Sequence, residues 1–267
     1  AVPFDYKIGK YEVTIQQYTD FLNAVAQSDP HLLYDQKMAD YKNISGIQRT
    51  GSSGAYTYSV TGPFGITPAG ADSAGERPIA WVSWFSAARF ANWMSNGQPT
   101  GAQNETTTEN GAYDVIQMSA YAPVVNAVNP NTGSAPTYFI PTENQWYKAA
   151  YYSPLLNSGS GGYYAYATQA NTHPGNTIGN SPNQANQRDY ANVYSVTGAS
   201  GDDPNQNYLT NVGAYSASGS YYGTFDQEGN LSEWNDLTGA TGNQRGTRGG
   251  DYSVSYTHLR AHETRED

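Results

Sequence analysis

Side chains that commonly carry chemistry are scarce in this chain of 267 residues, which has no cysteine, four histidines, and 23 acidic against 13 basic residues. Without a thiol there is no disulfide, no thiolate metal centre and no cysteine nucleophile. His258 and His262 stand four apart with Glu263 adjacent, a spacing that puts two imidazoles on one helix face as the start of a zinc site. No third ligand is specified. His31, in SDPHLLY, and His173, in NTHPGN, each sit among turn formers and read as surface-loop residues, so neither supports a triad. Carboxylates are plentiful, yet nothing fixes a pair at a hydrolase spacing. Glu143 and Asp236 read as exposed charges at a helix start and a turn, and Asp202 with Asp203 as a solvated acidic turn.

Few regular elements are available to position these groups. Thr14 with Gln17 three residues on forms a capping box for a helix whose Tyr18, Phe21, Leu22 and Val25 share one face. The preceding segment YKIGKYEVT reads as a strand. A hairpin strand is expected over Ala55 to Val60, where Tyr and Thr alternate. Ser83 caps a second helix, with Ala87, Ala88, Ala91 and Met94 at helical spacing and Gly97 as the stop. Gln98 to Pro136 reads as a long loop with some strand. The short strand Tyr138 to Ile140 leads into a third helix, opened by a second capping box at Thr142 and Gln145. From Tyr151 on, Gly, Asn, Pro and Tyr dominate, which predicts a turn-built shell that needs tethers other than sheets and helices.

Only 13% of the residues are charged and the net charge is -10. An acidic surface cannot replace the counterions of a nucleic acid or meet anionic lipid, so cations are the expected ligands. No apolar run is long enough to span a bilayer. Ala1 in place of an initiator methionine, and a composition rich in Tyr, Asn, Gly and Thr, fit an exported bacterial protein. The string Val254 to Thr264, VSYTHLRAHET, is the in-frame translation of a transposase-type sequencing adapter. Residues 254–267 are therefore expected to be a non-native tail of the kind that enters metagenomic sequence. That leaves 1–253 as a domain incomplete at its C-terminus and makes any metal chemistry at His258 and His262 accidental.

Four segments in order resemble the formylglycine-generating enzyme, or sulfatase-modifying factor, family: KIGKYEVTIQQYTDFLNAV, RPIAWVSWFSAARFANWM, FIPTENQWYKAAYY, and FDQEGNLSEWND followed by RGTRGG. The resemblance runs from about Tyr6 to Tyr252 and looks closest to exported bacterial members with a C-terminal sorting tail. It implies one α+β domain related to the C-type lectin fold, poor in regular secondary structure, and located outside the cell, at its surface or in the periplasm. Trp81, Trp84, Trp93 and Trp146 are expected to pack in the core.

EGNLSEW resembles the family's G-N-x-W-E-W turn, which binds calcium. Carried over, Asp226, Gly229 and Leu231 supply carbonyls and Glu233 its carboxylate, while Ser232 replaces the family's first tryptophan. A second implied calcium site uses Asn192, the carbonyl of Val193 and Asp203. Family oxidases bind copper through two cysteines shortly after R-G-G; here RGGDY ends at Tyr252 and the following positions fall in the adapter-like tail. Iron-dependent relatives take their ligands from a separate helical domain, and the chain has none. The expected function is a monomeric, non-catalytic, lectin-like module for an exported polypeptide or glycan. The alternative is an oxidase of a protein cysteine whose copper-binding pair lies beyond Tyr252.

Overall fold

The computed structural model describes residues 2–62, 74–116, 123–237 and 245–254, and the backbone of 265–266. The chain mixes helices with small sheets and packs as two compact units, each discontinuous in sequence. One comprises Val13–Ile140 and Asp236–Arg245, the other Ala1–Glu12, Pro141–Asn235 and Gly246–Asp267. Among the described residues no helix is long and apolar enough to cross a membrane.

The Val13–Ile140 unit is organised by three helices and a hairpin. Helix α1 (Ile15–Val25) starts at the expected capping box, with Thr14 and Gln17 satisfying each other's backbone N–H. Its Ile15, Tyr18, Phe21, Leu22 and Val25 are buried against α2 (Lys37–Asp40) and an antiparallel pair, β1 (Ile47–Thr50) and β2 (Thr57–Val60). The strand expected over Ala55 to Val60 is thus present, two residues shorter. Helix α3 (Trp84–Ser95) is capped by Ser83, and Gly97 follows its end at φ +84°. Trp84 and Trp93 join the core, while Trp81 is half-buried beside the Tyr41 ring at 5.2 Å.

Among its described residues, the long segment after α3 contains no strand, which corrects two expectations. Asparagine side chains take the place of a neighbouring strand. Asn92 donates to the carbonyls of Thr108 and Tyr113, at 2.8 and 2.9 Å, and accepts from Tyr113 N–H at 2.7 Å. Asn129 and Asn96 bond each other at 2.8 Å. Tyr138 to Ile140 is held the same way: Tyr138 bonds the Ser95 hydroxyl through both N–H and C=O, and Ile140 N–H donates to the Tyr113 hydroxyl. Such side chains close off buried peptide groups that no ladder reaches.

Two further corrections concern charge. His31 is not simply a surface residue, because its Nε2 lies 3.5 Å from Glu109. Glu109 also receives Arg89 in a two-pronged pair at 2.8 Å for each bond, with side chains 3% and 8% exposed. Asp236, expected as an exposed turn charge, is 4% exposed; burial pushes it up to about 6 against the pull of Arg245.

In the other unit, α4 (Glu143–Tyr151) opens on the expected Thr142 capping box and buries Trp146 completely. It runs into a two-residue pairing of β3 (Tyr152–Ser153) with β4 (Gly162–Tyr163). A second sheet orders β5 (Glu233–Asn235), β6 (Arg245–Arg248) and β7 (Arg265–Glu266). The strand expected over YKIGKYEVT does not form; Thr14 alone makes an isolated bridge, to Pro78. Its residues are used singly instead, Tyr6 donating its hydroxyl to Gln145 O at 2.5 Å and Lys10 O accepting from Phe225 N–H at 2.9 Å. His173 is half-buried, with Tyr190 at 4.6 Å, rather than out on a loop surface. Of the adapter-like tail, β7 pairs beside β6 and Val254 O accepts from Arg188 N–H at 3.2 Å. His258, His262 and Glu263 lie outside the described residues.

The Arg89–Glu109 pair makes a direct prediction. Glu109→Ala strands a buried guanidinium and should cost about 3–5 kcal/mol in urea unfolding, whereas the double change Arg89→Met with Glu109→Leu should recover most of it.

Candidate functional site

The residues 226–233 form a turn that the sequence alone singles out and the fold holds from several sides. Asp226, Gly229 and Asn230 have φ of +63°, +90° and +64°. A side chain at Gly229 would put its Cβ 2.2 Å from the Asn186 carbonyl, so only glycine fits. Gly229 N–H donates to Gly249 O at 2.6 Å, and Asn230 N–H to Asn186 O at 2.9 Å. The Asn230 side chain is fully buried: Nδ2 donates to Glu12 at 2.8 Å, while Oδ1 accepts from Asn186 Nδ2 at 2.9 Å. Glu12 also accepts Leu231 N–H at 3.1 Å. One carboxylate, from the segment expected to be a strand, thus clamps two donors of the turn.

Helix α4 reaches the same place. Trp146 donates its indole N–H to Glu233 at 2.5 Å, and Glu143, expected to be a free charge, contacts Arg248 of the RGTRGG segment. Ser232, in the position of the family's first tryptophan, is exposed. Asp226 accepts Gly213 N–H at 2.6 Å, and Glu228 accepts Ala167 N–H at 2.8 Å.

This crowding of acids sets the electrostatics. Burial, then the charges of Asp226 and Glu233, raise Glu12 well above the carboxylate range, against its bonds to Asn230 and Leu231. Burial pushes Glu233 up to about 8 and Glu228 to about 8, and takes Asp226 to about 6. Among the described residues no three His, Cys, Asp or Glu side chains are grouped to hold a metal ion, so a cation at this turn needs backbone oxygens. The carbonyls of Gly229 and Leu231 accept no backbone hydrogen bond among the described residues outside helices and strands. Hard oxygen donors of this kind, with one carboxylate, suit calcium.

The second implied set is placed differently. Asn192 Oδ1 accepts from Arg188 at 2.9 Å, and Val193 O from Asn176 at 2.8 Å. Asp203 closes its own turn by accepting Asn205 N–H at 2.8 Å. The oxygens of Asn192 and Val193 are already engaged, one of them by a cation.

Residues 2–267 match the family model described as sulfatase-modifying factor enzyme 1-like domain. The chain belongs to this family. No curated protein and no solved structure matches it. Glu12 stands in a segment that resembles the family, although nothing local in the sequence gives it a role. Trp146 was read as core and Glu228 was not singled out; only the folded chain shows that both engage the turn's neighbourhood.

A second feature of this unit is a collection of tyrosines. Tyr163 lies between Tyr147 and Tyr152, at 5.1 and 5.2 Å, and Tyr221 and Tyr222 are in edge contact at 5.2 Å. Tyr163 and Tyr222 are 49% and 47% exposed. The phenols are close enough to act on one another: burial, then Tyr222 and Tyr163, push Tyr6 up to about 12. Tyr222 is likewise raised, by burial and then by Tyr152, Tyr221 and Tyr163. Tyr6 and Tyr222 therefore stay neutral hydroxyls near pH 7.

The raised acids fix a sign for pH dependence. Glu228 and Glu233 titrate near the ordinary 4.5 when unfolded and near 8 when folded, so the folded state holds protons that the unfolded chain has lost. Their contribution is fully present below 4.5 and is lost as pH rises through 8. With chelator present, urea unfolding should show higher stability at pH 5 than at pH 8, and Glu228→Gln with Glu233→Gln should flatten that fall.

Proposed function

We propose that this sulfatase-modifying-factor-like domain is a non-catalytic, lectin-like binding module, acting as a monomer outside the cytoplasm on an exported polypeptide or a glycan. The observation that carries the reading is the tyrosine collection around Tyr163 and Tyr222. Its rings offer flat apolar faces, and its hydroxyls offer donors and acceptors, at a low cost in side-chain entropy. A neutral sugar ring or an extended peptide needs both.

Calcium is proposed as a structural partner of this module, held by the carbonyls of Asp226, Gly229 and Leu231 and the carboxylate of Glu233. Bound there, it would supply positive charge to a turn whose neighbours Glu12 and Asp226 are buried carboxyls. The turn's N–H groups are already satisfied by Glu12, Asn186 and Gly249, so the residues fit a hard cation bound through oxygen. The Asn192, Val193 and Asp203 set would accept one only after Arg188 and Asn176 moved away.

Oxidation of a protein cysteine is the second reading and rests on family membership. It requires copper, a soft ion that thiolates hold. The 267 residues contain no cysteine, so they do not fit copper.

Two measurements test the first reading. In a screen of labelled oligosaccharides and exported-protein peptides, the domain should bind at least one probe, and Tyr163→Ala with Tyr222→Ala should weaken that binding about tenfold or more, as expected for stacking anchors; uniform silence would remove the module reading. Separately, the melting temperature should be higher in calcium than in chelator by mass action, and Glu233→Ala should erase the difference.

A further inference from the structure

Two Asn-Gly dipeptides, Asn96–Gly97 and Asn110–Gly111, lie in the Val13–Ile140 unit. In such a pair a peptide nitrogen with no side chain beside it can bond to the carboxamide carbon of the preceding residue, closing a succinimide ring and expelling ammonia. The fold treats the two pairs differently. The Asn96 carboxamide is committed at both atoms: Nδ2 donates to Thr107 O at 3.1 Å and to Asn110 O at 2.8 Å, and Oδ1 accepts from Asn129 at 2.8 Å. Gly97 N–H is spent on Met94 O at 3.2 Å, so nucleophile and electrophile are held apart.

At Asn110 the same groups meet. Gly111 N–H donates to Asn110 Oδ1 at 2.9 Å, which brings the nitrogen beside the carbon that carries this oxygen. Asn126 Nδ2 donates to the same oxygen at 3.2 Å, where negative charge gathers when the carbon is attacked. The intervening carbonyl, Asn110 O, accepts from Asn96 at 2.8 Å and from Asn131 at 3.1 Å. A peptide nitrogen that loses its proton shares its charge with that oxygen by resonance, so these donors stabilise the nucleophilic form. Among the described residues the Asn110 carboxamide is engaged through its oxygen alone, which leaves Nδ2 free to depart. Asn110 is half-buried, so water reaches it. Glycine is required at 111, where φ is +156° and a Cβ would stand 3.0 Å from Asn96 Oδ1 and 3.1 Å from Asn92 Cα.

We propose that Asn110–Gly111 is a self-modification site, at which the folded chain converts Asn110 to aspartate and isoaspartate without an enzyme. Gly111 N gives its proton to solvent and bonds to Asn110 Cγ; the Cγ–Nδ2 bond breaks, and Nδ2 takes a proton from water and leaves as ammonia. Water then adds to either carbonyl of the succinimide. Breaking the new Cγ–N bond gives aspartate, and breaking the original peptide bond gives isoaspartate. Either product adds a negative charge. The isoaspartate route also turns the carbonyl held by Asn96 and Asn131 into a carboxylate and sends the main chain through the side chain. The asparagines that stand in for a strand here thus also set the rate at which one of them is lost.

The test incubates the whole chain at pH 8, folded and in urea, and follows the peptides containing Asn96 and Asn110 by mass spectrometry, with isoaspartate scored by an isoaspartate methyltransferase. In the folded protein Asn110 should convert about tenfold or more faster than Asn96, because only there are the reacting groups held together. In urea the two should convert at close to equal rates, both slower than Asn110 in the folded chain. Conversion at Asn110 should be slower at pH 6, since the nitrogen must lose its proton. Asn126→Ala should slow Asn110 by about tenfold or more through loss of the donor to Oδ1. Equal rates at the two sites in the folded protein, a folded rate at Asn110 below that in urea, or an undiminished rate in Asn126→Ala would overturn the proposal. Should Asn126→Ala fail to fold, the comparison of folded and urea-unfolded protein in the unchanged chain decides.

Discussion

Buried peptide groups must be paired, and a chain with few helices and short strands has to pair them by other means. That constraint shapes both units. Side-chain amides do much of the pairing: Asn92 serves three backbone groups, and Asn230 ties Asn186, Thr210 and Glu12 together. The richness in Asn and Thr is thus a structural requirement, because a short polar side chain can imitate the strand that is missing. The turn-built shell needs tethers other than sheets and helices, and in the described segments asparagine side chains supply part of that tethering.

The same constraint explains what could be read from the sequence. The three main helices were legible with their caps because Thr14, Ser83 and Thr142 act within three residues of themselves. The β2 strand was legible from alternation. The strands expected over Tyr6 to Thr14 and over Tyr138 to Ile140 failed because apolar alternation there reflects partners that are single side chains far away in sequence. Tyr113 is 27 residues from Ile140, and Gln145 is 139 from Tyr6. No local pattern encodes such distances.

For the site, resemblance located the turn, and geometry added its surroundings. Glu12 looked like one polar residue in a β-like run; it is a clamp because Leu231 and Asn230 meet it. Asp236 looked exposed because its neighbours are polar, yet it is buried with Arg245 as its counter-charge. Isolated acids in turn-rich sequence carry no sign of whether a distant donor awaits them. Sequence composition reported the number of carboxylates, while the fold decides which of them can stay ionised.

The clamp between Glu12 and Leu231 spans 219 residues, and this has a consequence for biosynthesis. Residues 1–12 belong with Pro141–Asn235 and Gly246–Asp267, whereas most of the other unit lies within Val13–Ile140. During translation residues 1–12 must remain without these partners until residues 230–231 have emerged, although the segment after them can collapse early. Closing so long a loop is slow rather than thermodynamically prohibitive. The segment before Val13 and the 226–231 turn therefore belong to the part of the molecule that matures last, and a substitution that loosens either one would act on the same late step.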